Sequence, residues 1–200
     1  VRYIIVTPHF RRDMFETSME QILKQFLRLR EIGKKIGIQL FLGCEYHVDD
    51  GMVRMLRAKE RPCMASSRYV LAEYRYDVST EYVKESLDDL LRNGYLPIIA
   101  HIERYTDVCA DWDFLEEIVD MGAFIQVNAG SIIGDGGRNV KRFCKKLMKE
   151  DLLHFVGTDA HRIDIRRPII KPCVDYVIKK MGEDYAREIF VENPRRIVLR

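Results

Sequence analysis

Short apolar runs alternate with longer amphipathic stretches along the whole chain. The runs are apolar throughout, as expected for strands that are covered on both faces. They begin about 30 residues apart, which is the size of one strand-plus-helix unit. The predicted strands are Tyr3–Thr7, Ile38–Leu42, Tyr69–Glu73, Leu96–Ala100, Phe124–Asn128 and His154–Gly157.

The stretches between these runs carry helix start and stop signals. The segment Thr17-Ser18-Met19-Glu20 predicts a capping box before the first helix. Ser79 or Thr80 is expected to cap the helix that ends near Gly94. Asn193-Pro194 predicts a cap and a first residue for the last helical turn.

The regular alternation predicts the α/β class, with a mainly parallel sheet and right-handed crossovers. A barrel is the first interpretation and an open doubly wound sheet is the alternative. Against the alternative, Gly134–Gly137 lacks the Lys-Ser/Thr of a phosphate-binding loop. Six units are few for a barrel, and Val1 directly precedes a strand. We therefore expect one domain over residues 1–200 that lacks its first strand-helix unit.

The amino-acid composition excludes few classes of function. The chain has 33 basic and 31 acidic residues and a net charge of +2, which gives no global argument for binding to nucleic acid or membranes. No apolar run approaches the roughly 20 residues that span a bilayer. The 5 cysteines are scattered without a CxxC pair. Reduced thiols in a cytoplasmic protein are the expectation.

The informative residues stand where the strands end. Five of the six predicted strands end in an ionisable side chain, and the fifth strand ends in Asn128. Because the carboxyl ends of barrel strands share one face, these side chains should meet in one mouth. They are His9, Glu45, Glu73, His101, Asp159 and His161.

Three carboxylates and three imidazoles in one mouth would repel and desolvate one another without cations. Mixed nitrogen and oxygen ligands suit Zn²⁺, Mn²⁺ or Fe²⁺, and the residues do not choose among them. Such a cluster suits phosphoester hydrolysis. His47 and His154 do not fit the pattern, and His154 is expected to be structural because it starts its strand.

Arginines follow two of the candidate ligands. Arg104 lies three residues beyond His101, and Arg166 and Arg167 follow His161. Guanidinium groups bind phosphate through two parallel hydrogen bonds. We therefore predict that Arg104 and Arg166 form a phosphate clamp, with Arg167 as the alternative to Arg166.

At these residues the chain resembles the polymerase-and-histidinol-phosphatase superfamily. More narrowly, it resembles the bacterial protein-tyrosine phosphatases of the CpsB/YwqE type, over essentially its whole length. The most specific motif is the run from His101 to Tyr105. The motifs that carry the resemblance are Thr7-Pro8-His9, Gly43-Cys44-Glu45, Ala72-Glu73, Ala100-His101-Ile102-Glu103-Arg104-Tyr105 and Thr158-Asp159-Ala160-His161.

The resemblance implies a distorted TIM-like (β/α)7 barrel with a three-metal cluster, most often loaded with Mn²⁺, although Zn²⁺ or Fe²⁺ would also suit it. Its ligands would include the six residues named above, and Arg104 and Arg166 would bind phosphate. The substrate would be the phosphotyrosine tail of a bacterial tyrosine autokinase, in the cytoplasm, with a role in capsule or exopolysaccharide synthesis. The family begins with a strand that carries His-x-His and then an Asp, and this segment is absent here.

Two other functions stay open at this point. The same fold could hydrolyse a small phosphomonoester such as histidinol phosphate. A domain that lacks ligands could instead bind phosphotyrosine as a catalytically impaired regulator. Neither nucleic acid nor membrane insertion is expected, and the oligomeric state is open.

Overall fold

A computed structural model describes residues 1–199. Its strands are β1 Tyr3–Val6, β2 His9–Phe10, β3 Gln39–Leu42, β4 Glu45–His47, β5 Tyr69–Glu73, β6 Leu96–Ile99, β7 Phe124–Asn128 and β8 Phe155–Gly157. Its α-helices are α1 Met19–Lys35, α2 Met52–Arg57, α3 Thr80–Arg92, α4 Thr106–Ala110, α5 Trp112–Asp120, α6 Ala129–Ile133, α7 Gly137–Lys149, α8 Lys171–Met181, α9 Glu183–Arg187 and α10 Asn193–Val198.

Each of the first two predicted strands continues after an interruption. Strand β1 pairs with β3, and β2 pairs with β4, both in parallel. Across the break the Gly43 N–H donates to the Val6 carbonyl (2.8 Å), and the Glu45 N–H donates to the Pro8 carbonyl (3.1 Å). Pro8 has no N–H to offer the ladder, which suits an interruption at this point. The predicted strands Tyr3–Thr7 and Ile38–Leu42 therefore missed the short strands that follow them, β2 and β4.

The strands follow chain order across an all-parallel sheet, β2-β4-β5-β6-β7-β8. A doubly wound sheet reverses its strand order at a switch point, and no reversal occurs among residues 1–199. His9 of β2 and His161, which follows β8, nevertheless lie 3.4 Å apart between their Nε2 atoms. The sheet is therefore curled, so that the loop after its last strand reaches its first strand at one rim. The prediction of a barrel-like α/β fold is confirmed, and the doubly wound alternative is wrong.

Both faces of the sheet are apolar. Val70 and Ile99 pack into the larger core beneath the helices, whereas their chain neighbours Leu71 and Ile98 pack into a second cluster on the other face, with Ile197 of α10. This alternation follows from the two-residue period of a strand. It also explains why the strands read as continuous apolar runs in the sequence.

The helix caps follow the predictions in part. Ser18, and not Thr17, caps α1 by accepting a hydrogen bond from the Gln21 N–H, so the predicted capping box was one residue out of register. Ser79 caps α3. Asn193 is not a cap but the first residue of α10. Its buried side chain donates to the His154 carbonyl at 3.1 Å instead.

The helices of the described chain are all too short or too polar to cross a bilayer.

Candidate metal and phosphate site

Three of the predicted ligands lie together at the carboxyl rim of the sheet. The ligand atoms of His9, Glu45 and Glu73 are all within 4.8 Å of one another. Strand register produces this cluster, because His9 is the direct partner of Glu45 between β2 and β4. The His9 Nδ1 atom lies 3.7 Å from Glu45 and 3.6 Å from Glu73.

His101 joins this cluster from the end of β6. Its Nε2 atom lies 3.0 Å from Glu45 Oε1 and 3.3 Å from Glu73 Oε1. His101 adopts a left-handed backbone conformation (φ 34°, ψ 53°), which residues other than glycine rarely adopt. Strained backbone of this kind persists only where the surroundings enforce it, and it concentrates at functional sites. Tyr105 supports the imidazole from the other side, with its hydroxyl 3.3 Å from Nδ1.

The charges in this cluster stabilise one another. Burial on its own would lower the pKa of His101, but hydrogen bonds to Glu45 and Glu73 raise it to about 9. Burial would raise the pKa of Glu73, yet its hydrogen bond to His101 and the neighbouring imidazoles hold that pKa below its usual value. The site thus favours ionised carboxylates, as a cation site requires.

The donor set fits a divalent cation. The His9 Nδ1 atom is buried and makes no hydrogen bond, although two carboxylates face it. An unpaired buried nitrogen is costly unless another group, such as a cation, satisfies it. Imidazole nitrogen with carboxylate oxygen is the mixture that suits Zn²⁺, Mn²⁺ or Fe²⁺.

A second group of residues surrounds Asp159. Its Oδ2 atom accepts hydrogen bonds from Arg104 (2.6 Å), Arg166 (2.9 Å) and Asn128 (3.2 Å). Burial opposes ionisation of Asp159, but the charge of Arg104 and its hydrogen bond hold the pKa of this carboxyl low. Asp159 and Arg166 both have positive φ angles, of 48° and 50°. In this arrangement Arg166 is the arginine that forms an ion pair with Asp159, and no hydrogen bond or ion pair joins Arg167 to that carboxylate.

His161 joins the two groups. Its Nε2 atom lies 3.4 Å from His9, and its Nδ1 atom lies 2.9 Å from the Asp159 backbone carbonyl. The structure therefore places the six predicted ligands and both predicted arginines in one continuous set of contacts. Their roles as ligands and as a phosphate clamp stay predictions.

Comparison with known proteins identifies the family. The profile of the family described as "Capsular polysaccharide synthesis, CpsB/CapC" matches residues 1–199. The chain belongs to the CpsB/CapC family. It is 34% identical to the tyrosine-protein phosphatase CpsB of Streptococcus pneumoniae, over 100% of this chain and 85% of that protein. It is 27% identical to the tyrosine-protein phosphatase YwqE of Bacillus subtilis, over 92% of this chain and 73% of YwqE.

The fold of this CpsB/CapC member is also that of a solved structure. The match is to a chain from the crystal structures of YwqE from Bacillus subtilis and CpsB from Streptococcus pneumoniae, described as metal-dependent tyrosine phosphatases. The TM-score is 0.90 at 24% sequence identity, covering 99% of this chain and 81% of the other. At this identity the match establishes the fold.

Two residues of the site escaped the sequence reasoning. His47 pairs in register with Glu73, and its buried Nδ1 atom lies 3.5 Å from that carboxylate without a hydrogen bond. The position of His47 two residues after Glu45 is the sequence signal that could have identified it, because residues at that spacing share one face of a strand. Glu103 is buried and accepts hydrogen bonds from the Asn128 N–H (3.0 Å) and the Ser131 hydroxyl (2.7 Å). It fixes the turn after β7 against the site, and burial raises its pKa.

Proposed function

We propose that this chain is a metal-dependent protein-tyrosine phosphatase, a phosphoric monoester hydrolase, whose residues 1–200 form a single phosphatase domain. The observation that carries the proposal is the joining of two groups at one rim. Imidazoles and carboxylates suited to cations lie on one side, and two arginines converge on one anionic oxygen on the other. The naming of the family relatives as tyrosine-protein phosphatases supports the same activity.

His9, Glu45, Glu73 and His101 would hold the cations, together with Asp159 and His161. Mn²⁺ is the cation we propose, in a cluster of three, with Zn²⁺ or Fe²⁺ as alternatives. When bound, such cations lower the pKa of water and neutralise charge on phosphate oxygens. Tyr105 orients His101 through its hydroxyl, so that the imidazole faces the two carboxylates.

Arg104 and Arg166 provide the phosphate-binding part of the site. Their guanidinium groups donate to the same oxygen of Asp159, so their positive charges already converge on one point. A phosphate oxygen carries the same charge and accepts the same hydrogen bonds. The arginines would thus bind the substrate phosphate, orient its ester bond and stabilise charge that develops on it.

The openness of the site favours a protein substrate. The Arg104 side chain is 27% exposed and the Arg166 side chain 46%, and His161 lies at the surface between them and His9. Sites for small molecules instead enclose most of the ligand surface. The proposed substrate is therefore the phosphotyrosine tail of a bacterial tyrosine kinase, in the cytoplasm, where dephosphorylation would regulate capsule or exopolysaccharide synthesis. No observation favours the histidinol-phosphatase-like activity or the impaired regulator.

Hydrolysis of a phosphotyrosine peptide tests this function. We expect turnover with Mn²⁺, its loss when a chelator is added, and its recovery when Mn²⁺ is returned. The same peptide with phosphoserine in place of phosphotyrosine serves as the matched control and should be a poorer substrate. Turnover that survives complete removal of metal would refute the metal-dependent mechanism, and the absence of turnover with any of the three metals would refute the phosphatase itself.

A further inference from the structure

An exposed aromatic side chain stands beside the candidate cation site. Phe15 lies in the loop between β2 and α1 and is 48% exposed. A tight turn holds it in place, because Arg11 and Phe15 exchange backbone hydrogen bonds of 2.8 and 3.2 Å. Asp13, at the tip of this turn, has a φ angle of 61°. The loop thus keeps a large apolar side chain at the surface in a defined position.

Phe15 contacts His9, one of the candidate metal ligands. Its ring stacks on the His9 imidazole, with centroids 5.6 Å apart and planes inclined by 28°. His9 in turn contacts Glu45, Glu73 and His161. The phenyl ring therefore adjoins the group of charged residues, yet about half of its surface stays open to solvent. An aromatic ring held open beside a charged site is available to stack on an aromatic part of a ligand.

We propose that Phe15 forms an aryl subsite, on which the phenyl ring of the substrate phosphotyrosine stacks while Arg104 and Arg166 hold the phosphate. The inference rests on the proposed function and adds a residue that selects aryl over alkyl phosphates. A single ester oxygen joins phosphorus to the ring in phosphotyrosine, so the ring must lie next to the phosphate-binding groups. Phosphoserine carries no ring and would leave Phe15 uncovered.

Binding of two phosphonates isolates the contribution of the ring. Phenylphosphonate and methylphosphonate share the anionic group and differ in the aryl part. Calorimetry on the Mn²⁺-loaded protein should give tighter binding of phenylphosphonate. Phe15→Ala should reduce this preference roughly 3- to 10-fold, which is the range of a single aromatic contact. Phe15→Tyr should retain it, because the ring is kept.

Met14→Ala is the matched control. Met14 occupies the same turn and is 58% exposed, but its side chain has no ring. The phenyl preference should be unchanged in this variant. Metal content, measured by elemental analysis, should be the same in all three variants and the wild type.

Two results would overturn the aryl subsite. A preference that is unchanged in Phe15→Ala would show that the ring of the ligand does not meet Phe15. An equal loss of affinity for both phosphonates would show that Phe15 acts only by supporting His9. A wild-type protein that lacks phosphatase turnover, but shows a phenyl preference that Phe15→Ala removes, would refute the proposed function and leave the subsite standing.

Discussion

Two histidines at opposite ends of the sheet differ in the partners that surround them. His101 is buried at the carboxyl rim between two carboxylates, which raise its pKa to about 9 against the effect of burial. His154 precedes β8 at the other rim, where its Nδ1 atom accepts a hydrogen bond from the Ile125 N–H at 3.1 Å. There burial lowers its pKa, so the imidazole is held neutral.

The surroundings of His154 explain its structural character. Its ring packs edge-on against Phe124, with centroids 5.2 Å apart, and Phe124 also contacts Phe155 and Tyr69. The aromatic cluster offers no charge to compensate a proton, and the charge of Asp151 offsets only part of the effect of burial on the pKa of His154. Asn193 binds the His154 carbonyl and ties α10 to this end of the sheet.

Burial therefore does not decide what a histidine does in this fold. Both imidazoles lose solvent, but register delivers carboxylates to one and aromatic rings to the other. In barrels the carboxyl rim carries the chemistry, and the amino rim contributes stability. Substitutions at the carboxyl rim should therefore change activity, and substitutions at the amino rim should change stability.

At the carboxyl rim, Glu73→Gln should cause the greatest loss of function. This change removes a carboxylate that faces His9, His47 and His101, so both metal content and turnover should fall. Turnover should drop at least about 100-fold, because even groups that only support a ligand cost 10- to 100-fold. Elemental analysis and kcat on a phosphotyrosine peptide measure the two effects. Wild-type values for both would remove Glu73 from the site.

A loss of similar order, but without loss of metal, is expected for Arg104→Ala. The variant should raise KM and lower kcat, with kcat/KM roughly 100-fold lower, as for other preorganised charge-stabilising donors. Arg104→Lys should recover only part of the activity because lysine lacks the planar fork. Normal kinetics in Arg104→Ala would exclude this arginine from phosphate binding.

A smaller difference should separate two adjacent arginines. Arg166 donates to Asp159 but is more exposed than Arg104, so Arg166→Ala should lower kcat/KM by about 10-fold. Arg167→Ala is the matched control and should change kcat/KM less than about twofold. Equal losses in the two variants would mean that a general positive charge, and not the Arg166 contact, attracts the substrate.

The smallest effect concerns stability at the amino rim. Because the folded pKa of His154 lies below its unfolded value of about 6.5, the unfolded state binds the proton first as pH falls. The contribution of His154 to the free energy of unfolding is therefore complete above about pH 6.5. It declines as the pH falls toward the folded pKa, by at most about 1.4 kcal/mol per pH unit. His154→Gln should flatten the decline while kcat is unchanged. Asp151 and Arg196 perturb this histidine in opposite directions and remain in both proteins. Urea unfolding between pH 7 and 5 provides the measurement, and an unchanged slope would contradict the assignment.

The apolar and polar pattern of the chain was sufficient to predict the repeated strand-plus-helix units, but it missed the short strands β2 and β4, which begin at His9 and Glu45. Continuous apolar runs predict strands buried on both faces, and Tyr69–Glu73 and Phe124–Asn128 were predicted with the bounds that the structure has. A residue that follows a parallel strand must lie at the carboxyl rim, so local pattern alone placed Glu73 and His101 correctly.

Which of these residues touch depends on contacts between distant segments of the chain. The pairing of His47 with Glu73 depends on β4 resuming after Gly43-Cys44, a strand too short to give an apolar signal. The contact between His9 and His161 spans most of the chain and depends on the curl of the sheet. The stacking of Phe15 on His9 depends on the fold of a polar loop. Register, curvature and loop conformation arise from contacts between distant segments, so no local pattern of apolar and polar residues encodes them.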